Sequence, residues 1–224
     1  DNTTADAEIA NKTDVVLTSV AGNEKAIGYI SLGALNDTVK AVKVDGAEAT
    51  VDNVKAGAYK LSRPFNIATK GEPTGLAKDF INFILSKEGQ AVVTDNKYIA
   101  VNDAAESFVS DGSSGQIAVG GSSSVSPVME KLIEAYKSVN PNASIDLQTS
   151  DSTSGMTGAM DGTFAIGMAS RELKDEEAVQ LTGTAIALDG IAVIVNPANT
   201  IDELSMDQIK SIYVGDITDW GDLA

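Results

Sequence analysis

Two short stretches gather hydroxyl side chains directly ahead of helical patterns: Gly120-Gly121-Ser122-Ser123-Ser124 and Asp151-Ser152-Thr153-Ser154-Gly155. The first N–H groups of a helix have no intrahelical acceptor, and the helix dipole adds positive potential there. Hydroxyls at such a start can therefore hold an oxyanion without a formal charge. Serine is also a leading N-cap residue, so either stretch alone reads equally well as a capped helix start. Two of them could converge on one ligand, and Ser170-Arg171, following the apolar run 164–168, would bring a cation to the same edge. The competing reading of Arg171 is a surface ion pair with Glu172 or Asp175, which is worth little.

Other chemistries are restricted by composition. The 224 residues include no His and no Cys, so thiolate or imidazole zinc sites, Cys/His nucleophiles and Ser-His-Asp triads cannot be assembled from this chain. Acid–base catalysis would need two carboxylates facing one cleft with separated pKa values. Asp151, Asp189 and Asp216 stand near expected strand ends or turns, where solvated turn residues explain them more simply. Ser with Lys as base is chemically open, but no Ser-x-x-Lys spacing occurs at the two Ser-rich stretches. Trp220 could stack on a ligand and reads more readily as packing. With 16 basic against 32 acidic residues the formal charge is −16, which opposes phosphate-backbone contacts and argues against nucleic acid as a partner. Any anion site must therefore rely on hydroxyls, backbone N–H groups and few cations.

The elements that would position these residues follow from periodicity. A helix is expected over 6–20, with Ile9, Val16, Leu17 and Val20 on one face. Strands are expected over 26–32, 39–44 and 64–69, and a helix over 76–85 after the breaker Pro73. The polar pentapeptide 111–115 reads as a flexible linker. Beyond it come strand 116–119, loop 120–124, and a helix with Val125, Val128, Met129, Leu132, Ile133 and Tyr136 on one face. Strand 144–148, loop 149–154, helix 155–160 and strand 164–168 repeat the alternation, which favours an α/β sandwich with parallel strands. Ligands bind at strand carboxyl ends in such sheets. A long buried strand pair or crossover is expected over 184–196, and a short helix over 205–213 with Ser205 as N-cap. The longest apolar stretch, 186–195, is far short of the ~20 residues of a membrane span. Residues 1–111 hold 11 basic and 16 acidic residues (−5), and 112–224 hold 5 and 16 (−11).

On these residues the chain resembles the phosphate-binding proteins of bacterial ABC transporters, with the type II periplasmic-binding-protein fold. Segments 117–136, 151–177, 187–197 and 204–220 are similar to that family's N-terminal half, and 26–35 and 64–90 to its C-terminal half. The order is reversed, so the resemblance implies two lobes in circularly permuted order, from an engineered permutant or a piece of a tandem duplication. A Gly-Ser-Gly-Thr-Arg-like segment of the family has no counterpart, implying a truncated second lobe. The expected organisation is 1–60 mainly truncated second lobe, 61–111 returning part of the first lobe, 112–115 linker, 116–196 main part of the first lobe, and 197–224 crossover into the second.

The resemblance implies an extracellular, non-enzymatic solute-binding protein that captures inorganic phosphate or a similar oxyanion and serves ABC transporter membrane subunits. No cofactor or metal is implied. Carried over residue by residue, the ligand-binding set is Ser123, Ser124, Thr153, Ser154 and Arg171, with Ser152 an alternative in the second stretch. Arg171 falls where some family members place an Asp that accepts the phosphate's proton; an Arg would donate instead, through a charged fork. The missing segment also admits a derivative with impaired phosphate binding acting as an interaction or scaffold protein, self-associating through the truncated lobe. A carboxylate- or Ser/Lys-dependent hydrolase is the more distant alternative.

Overall fold

The structure is a computed structural model that describes residues 3–10 and 12–223. In chain order the elements are α1 (Thr13–Ala21), β1 (Ile27–Ser31), β2 (Lys40–Ala41), β3 (Lys43–Val44), α2 (Val51–Lys55), β4 (Ser62–Thr69), α3 (Gly75–Leu85), α4 (Lys87–Asp95), β5 (Gly115–Ser122), α5 (Ser126–Val139), β6 (Ala143–Ser150), α6 (Ser152–Asp161), β7 (Ile166–Ala169), α7 (Asp175–Ala178), β8 (Thr182–Val195), β9 (Glu203–Leu204) and α8 (Met206–Val214). Among the described residues no helix is long and apolar enough to cross a membrane.

The chain forms two compact units, residues 1–62 with 190–224, and residues 63–189. In the first, β1 runs antiparallel to β8 with Ile27 opposite Val195, β2 also pairs with β8, and β3 lies parallel to β9. Leu17 and Val20 of α1 pack on Ile30, Leu32, Ala192 and Ile194. Gly28 lets α1 sit close, since a Cβ there would lie 2.9 Å from side-chain carbons of both Val16 and Val20. Ser205 caps α8 as its sequence predicts, accepting from Gln208 N–H at 3.1 Å while the Gln208 side chain accepts from Ser205 N–H at 2.8 Å.

Helix α1 is shorter than expected. It begins at Thr13, after Lys12 in an extended conformation, and Ile9 is exposed. The preceding backbone is engaged elsewhere: Thr4 N–H donates to the Tyr213 carbonyl at 2.8 Å. Asn11, within the expected helix, lies outside the described residues.

The second unit carries the strand order β4-β7-β5-β6, with β8 beside β4. Strands β5, β6 and β7 are parallel, so the expected strand–helix alternation is present, but β4 runs antiparallel to β7. Helices α3 and α5 cover one face, where Phe65, Ile67, Phe80, Ile84, Val128, Met129, Leu132 and Tyr136 share a core. In α5 the buried positions recur every three to four residues, which is why periodicity alone located it. Helix α4 went unanticipated. Its start is set by Ser86, whose hydroxyl accepts from Gly89 N–H and donates to the Phe83 carbonyl, joining two helices without a loop.

Residues 112–115, expected as a linker, lie inside this unit. Gly115 opens β5, and Ser113 O accepts from Asn140 Nδ2 at 2.7 Å. Asp79 gathers the same corner, accepting from Ser110 Oγ, Asp111 N–H and Tyr136 Oη at 2.8, 3.0 and 2.6 Å. Residues 190–196, expected with the first lobe's main part, fall in the other unit.

Candidate functional site

The parallel strands end in register, Ser122 opposite Ser150 and Gly121 opposite both Thr149 and Met168. Their continuations, 123–125, 151–154 and 170–172, therefore open from one carboxyl edge of the sheet. Gly120 and Gly121 are strand residues, not loop as expected. A Cβ on Gly120 would meet the Phe164 ring at 2.3 Å, and one on Gly121 would meet the Met168 carbonyl oxygen at 2.3 Å. Gly121 also has φ of +137°, a region that favours glycine. Opposite it, a Cβ on Gly155 would lie 2.7 Å from the Gly121 Cα, so the first turn of α6 rests directly on the sheet backbone. The glycines buy close approach rather than loop mobility.

Ser123 and Ser124 form the turn between β5 and α5 and are half-buried. Ser123 N–H donates to the Ser150 carbonyl at 2.8 Å, which ties this turn to the end of β6. Among the described residues the Ser124 N–H and both serine hydroxyls have no protein hydrogen-bond partner. Thr149 Oγ1 donates to Ser126 Oγ at 2.9 Å, and Ser126 Oγ to the Ser122 carbonyl at 3.2 Å, stitching the α5 start to its neighbour strand.

The second stretch is helical earlier than expected, because α6 begins at Ser152 with Asp151 as its N-cap. Asp151 accepts from Ser154 N–H at 2.9 Å and from Ser154 Oγ at 2.7 Å. These bonds hold the Asp151 carboxyl below the usual range, backbone N–H first and hydroxyl second. Ser152 Oγ accepts from Ser170 N–H at 3.1 Å, so this serine joins α6 to the end of β7. The donors of Ser154 are thus occupied by a carboxylate, whereas Thr153 is exposed.

Arg171 reaches Thr153 Oγ1 at 3.5 Å, so these two predicted residues meet. Its principal partner is neither Glu172 nor Asp175, the acids expected from spacing. Nη1 and Nη2 donate to the two Glu177 carboxylate oxygens, both at 2.8 Å, and Nη1 also donates to the Glu172 carbonyl. Glu177 is 3% exposed. The Arg171 fork, ahead of the opposing burial effect, holds the Glu177 carboxyl below its ordinary value, and the same bonds raise the arginine. Asn66 Nδ2 donates to the Arg171 carbonyl at 2.9 Å and fixes the backbone there. Glu177 was missed because nothing in six residues of spacing distinguishes it from its acidic neighbours Asp175 and Glu176. The capping role of Asp151 was also missed, since by sequence it reads as a solvated turn residue; an Asp directly ahead of a helical pattern is the signal that could have found it.

Three hydroxyl-bearing strand ends on one edge, two of them opening helices, form the architecture of a PBP-like domain. The family model described as PBP superfamily domain matches residues 2–88 and 107–224. The phosphate-binding protein PstS 2 of Streptococcus agalactiae is 51% identical over 226 residues, covering 100% of this chain and 77% of that protein. A crystal structure of a phosphate ABC transporter's phosphate-binding protein from Streptococcus pneumoniae superposes with a TM-score of 0.83 at 48% identity, covering 100% of this chain and 87% of that one. The phosphate-binding protein PstS of Staphylococcus haemolyticus is 38% identical over 111 residues, 46% of this chain and 35% of its own length. The chain belongs to the PBP superfamily and, within it, to the family of phosphate-binding proteins PstS.

Proposed function

We propose that this protein is the solute-capture component of a phosphate uptake transporter, holding inorganic phosphate or a similar oxyanion non-covalently outside the membrane and delivering it to membrane subunits. Identity of 51% with a phosphate-binding protein along the whole of this chain, covering 77% of that protein, supports the assignment. The observation that carries the site is the start of α5, where the Ser124 N–H and the Ser123 and Ser124 hydroxyls are left over after the protein's own hydrogen bonds are made. Unpaired donors at a helix N-terminus substitute for water around an anion. Thr153 and Arg171 extend the proposed ligand set from the neighbouring strand ends, and Ser154 enters it only where Asp151 gives up the Ser154 N–H and hydroxyl. No acid–base pair or nucleophile enters this reading, which is one of binding alone.

The order of the halves belongs to the same reading. A continuous match to the Streptococcus agalactiae protein spans this whole chain, whereas the Staphylococcus haemolyticus protein matches under half of it. These two match lengths support a permuted order that this chain shares with the first protein and not with the second, and favour a natural family variant over an engineered one.

Calorimetric titration with inorganic phosphate tests the proposal, with Ser123→Ala/Ser124→Ala as the comparison. Saturable heat from the parent and a tenfold or larger loss in the variant are expected. A parent that gives no heat at millimolar phosphate overturns it.

A further inference from the structure

Arg63 and Asp189 form an ion pair, Nε to Oδ2 at 3.1 Å, in which the carboxylate side chain is fully buried and that of Arg63 is 21% exposed. The pair engages the arginine through Nε alone. Among the described residues neither Nη group of Arg63 has a hydrogen-bond partner. The guanidinium carbon also lies 5.7 Å from the centre of the Phe65 ring, in cation–π range. The fork is thus held from one side by a carboxylate and from another by a ring, with its two outer amino groups left over. This differs from Arg171, whose two Nη groups are spent on Glu177.

Strand register places Arg63 at the edge already described. The row Ile67, Met168, Gly121 runs across β4, β7 and β5. Because β4 is antiparallel to β7, moving back along β4 from Ile67 to Arg63 moves in the same direction as moving forward along β5 from Gly121 to Ser123 and Val125. Strand β7 ends at Ala169, one residue past that row. Beyond it β4 and β5 stand two strand spacings apart, about 10 Å, a gap that an arginine side chain and a small anion together span. The faces agree as well. Arg63 lies over Phe65, and Phe65 shares its core cluster with Val125 and Val128 at the start of α5.

We propose that Arg63 is a second cation of the oxyanion site, offering its two Nη groups to an anion held at the start of α5, with Asp189 and Phe65 as its positioning residues. The inference rests on the reading of the chain as a phosphate-binding protein. A planar fork presenting parallel N–H donors matches two oxygens of a tetrahedral oxyanion, which an ammonium does not. Both arginines are ion-paired with a buried carboxylate, but Arg63 gives up only its Nε and keeps both Nη donors, whereas Arg171 spends both of its Nη groups on Glu177.

The test titrates inorganic phosphate into the parent, Ser123→Ala/Ser124→Ala, Arg63→Lys, and the double variant Arg63→Gln/Asp189→Asn, which leaves no buried carboxylate without its partner. Thermal unfolding of each confirms the fold. Both Arg63 variants are expected to bind phosphate at least tenfold more weakly. The parent should bind more tightly from about pH 6 to about pH 8 as phosphate loses its second proton, and the double variant should show a much flatter dependence, which a purely structural role would not produce. A folded double variant with the parent's affinity and pH dependence overturns the proposal. Should the double variant not fold, Arg63→Lys decides by the same criterion of affinity. Loss of binding in the serine variant with none in the Arg63 variants removes Arg63 and leaves the assignment standing. A parent without any phosphate heat removes both.

Discussion

Arg171 and Glu177 are locked in a two-pronged ion pair, Nη1 to Oε2 and Nη2 to Oε1 each at 2.8 Å, with the glutamate buried and the arginine half-buried. The arginine at the expected ligand edge is therefore electrically compensated before any anion arrives. Glu177→Gln keeps the volume and one acceptor while releasing the charge of Arg171. It is expected to tighten phosphate binding severalfold and to lower stability by about 1–3 kcal/mol, below the full cost of breaking a wholly buried pair because Arg171 reaches solvent. Titration and urea unfolding measure the two effects, and an unchanged affinity would separate Arg171 from the ligand.

Asp151 occupies both donors of Ser154. Asn is as good an N-cap as Asp, so Asp151→Asn should change stability by no more than about 0.5 kcal/mol while removing a negative charge from the anion edge. Phosphate affinity is expected to rise. A weaker complex, measured by the same titration, would show that the carboxylate serves the ligand rather than only the helix.

The Asp79 corner sets the acid stability of the second unit. Burial raises the Asp79 pKa, but hydrogen bonds from Tyr136, Asp111, Ser110 and Asn140 outweigh it, and the carboxyl is held below its ordinary 3.8. The unfolded chain binds this proton more readily. The stabilisation is thus complete above the ordinary value and is lost as pH falls through the lower folded value. Tyr136→Phe should cost about 1.5–3 kcal/mol at pH 7, the range for a hydrogen bond to a charged group. The gap between parent and variant in urea midpoint should narrow on acidification; a gap independent of pH would contradict this.

Gly121→Ala places a Cβ 2.3 Å from the Met168 carbonyl oxygen at a φ of +137°. Rigid backbone on both sides leaves no cheap adjustment, so a loss of about 3 kcal/mol or more is expected. Gly57→Ala is the control, with φ of +70° and no atom within 4 Å. It should cost about 1 kcal/mol, from backbone strain alone. Denaturant unfolding of the two proteins separates close approach from conformational freedom.

The amphipathic spacing of Val128, Met129, Leu132, Ile133 and Tyr136, the cap Ser205 and the alternation of strand and helix after residue 115 are local signals, and each was legible because the short-range period of a helix or strand is written in neighbouring residues. The Ser-rich stretches were likewise visible as helix starts. What the glycines between them do was not. Gly120 and Gly121 look like a flexible loop until Phe164, Met168 and Gly155 are brought against them, and only then do they become strand residues with no room for a side chain. Residues 112–115 look like a linker until Asn140 and the Asp79 cluster claim that corner.

Side-chain availability followed the same division. The sequence by itself determined that an anion site here would consist of hydroxyls, backbone N–H groups and few cations, since no His or Cys exists and acids outnumber bases two to one. Tertiary structure alone decided which donors are spent and which remain. Glu177 takes the fork of Arg171, Asp151 takes the donors of Ser154, and Asp189, 126 residues from Arg63 along the chain, takes only the Nε of that arginine. Hydrogen bonds and ion pairs act over a few ångströms, so their partners are set by what the sheet brings together and not by what lies near in sequence.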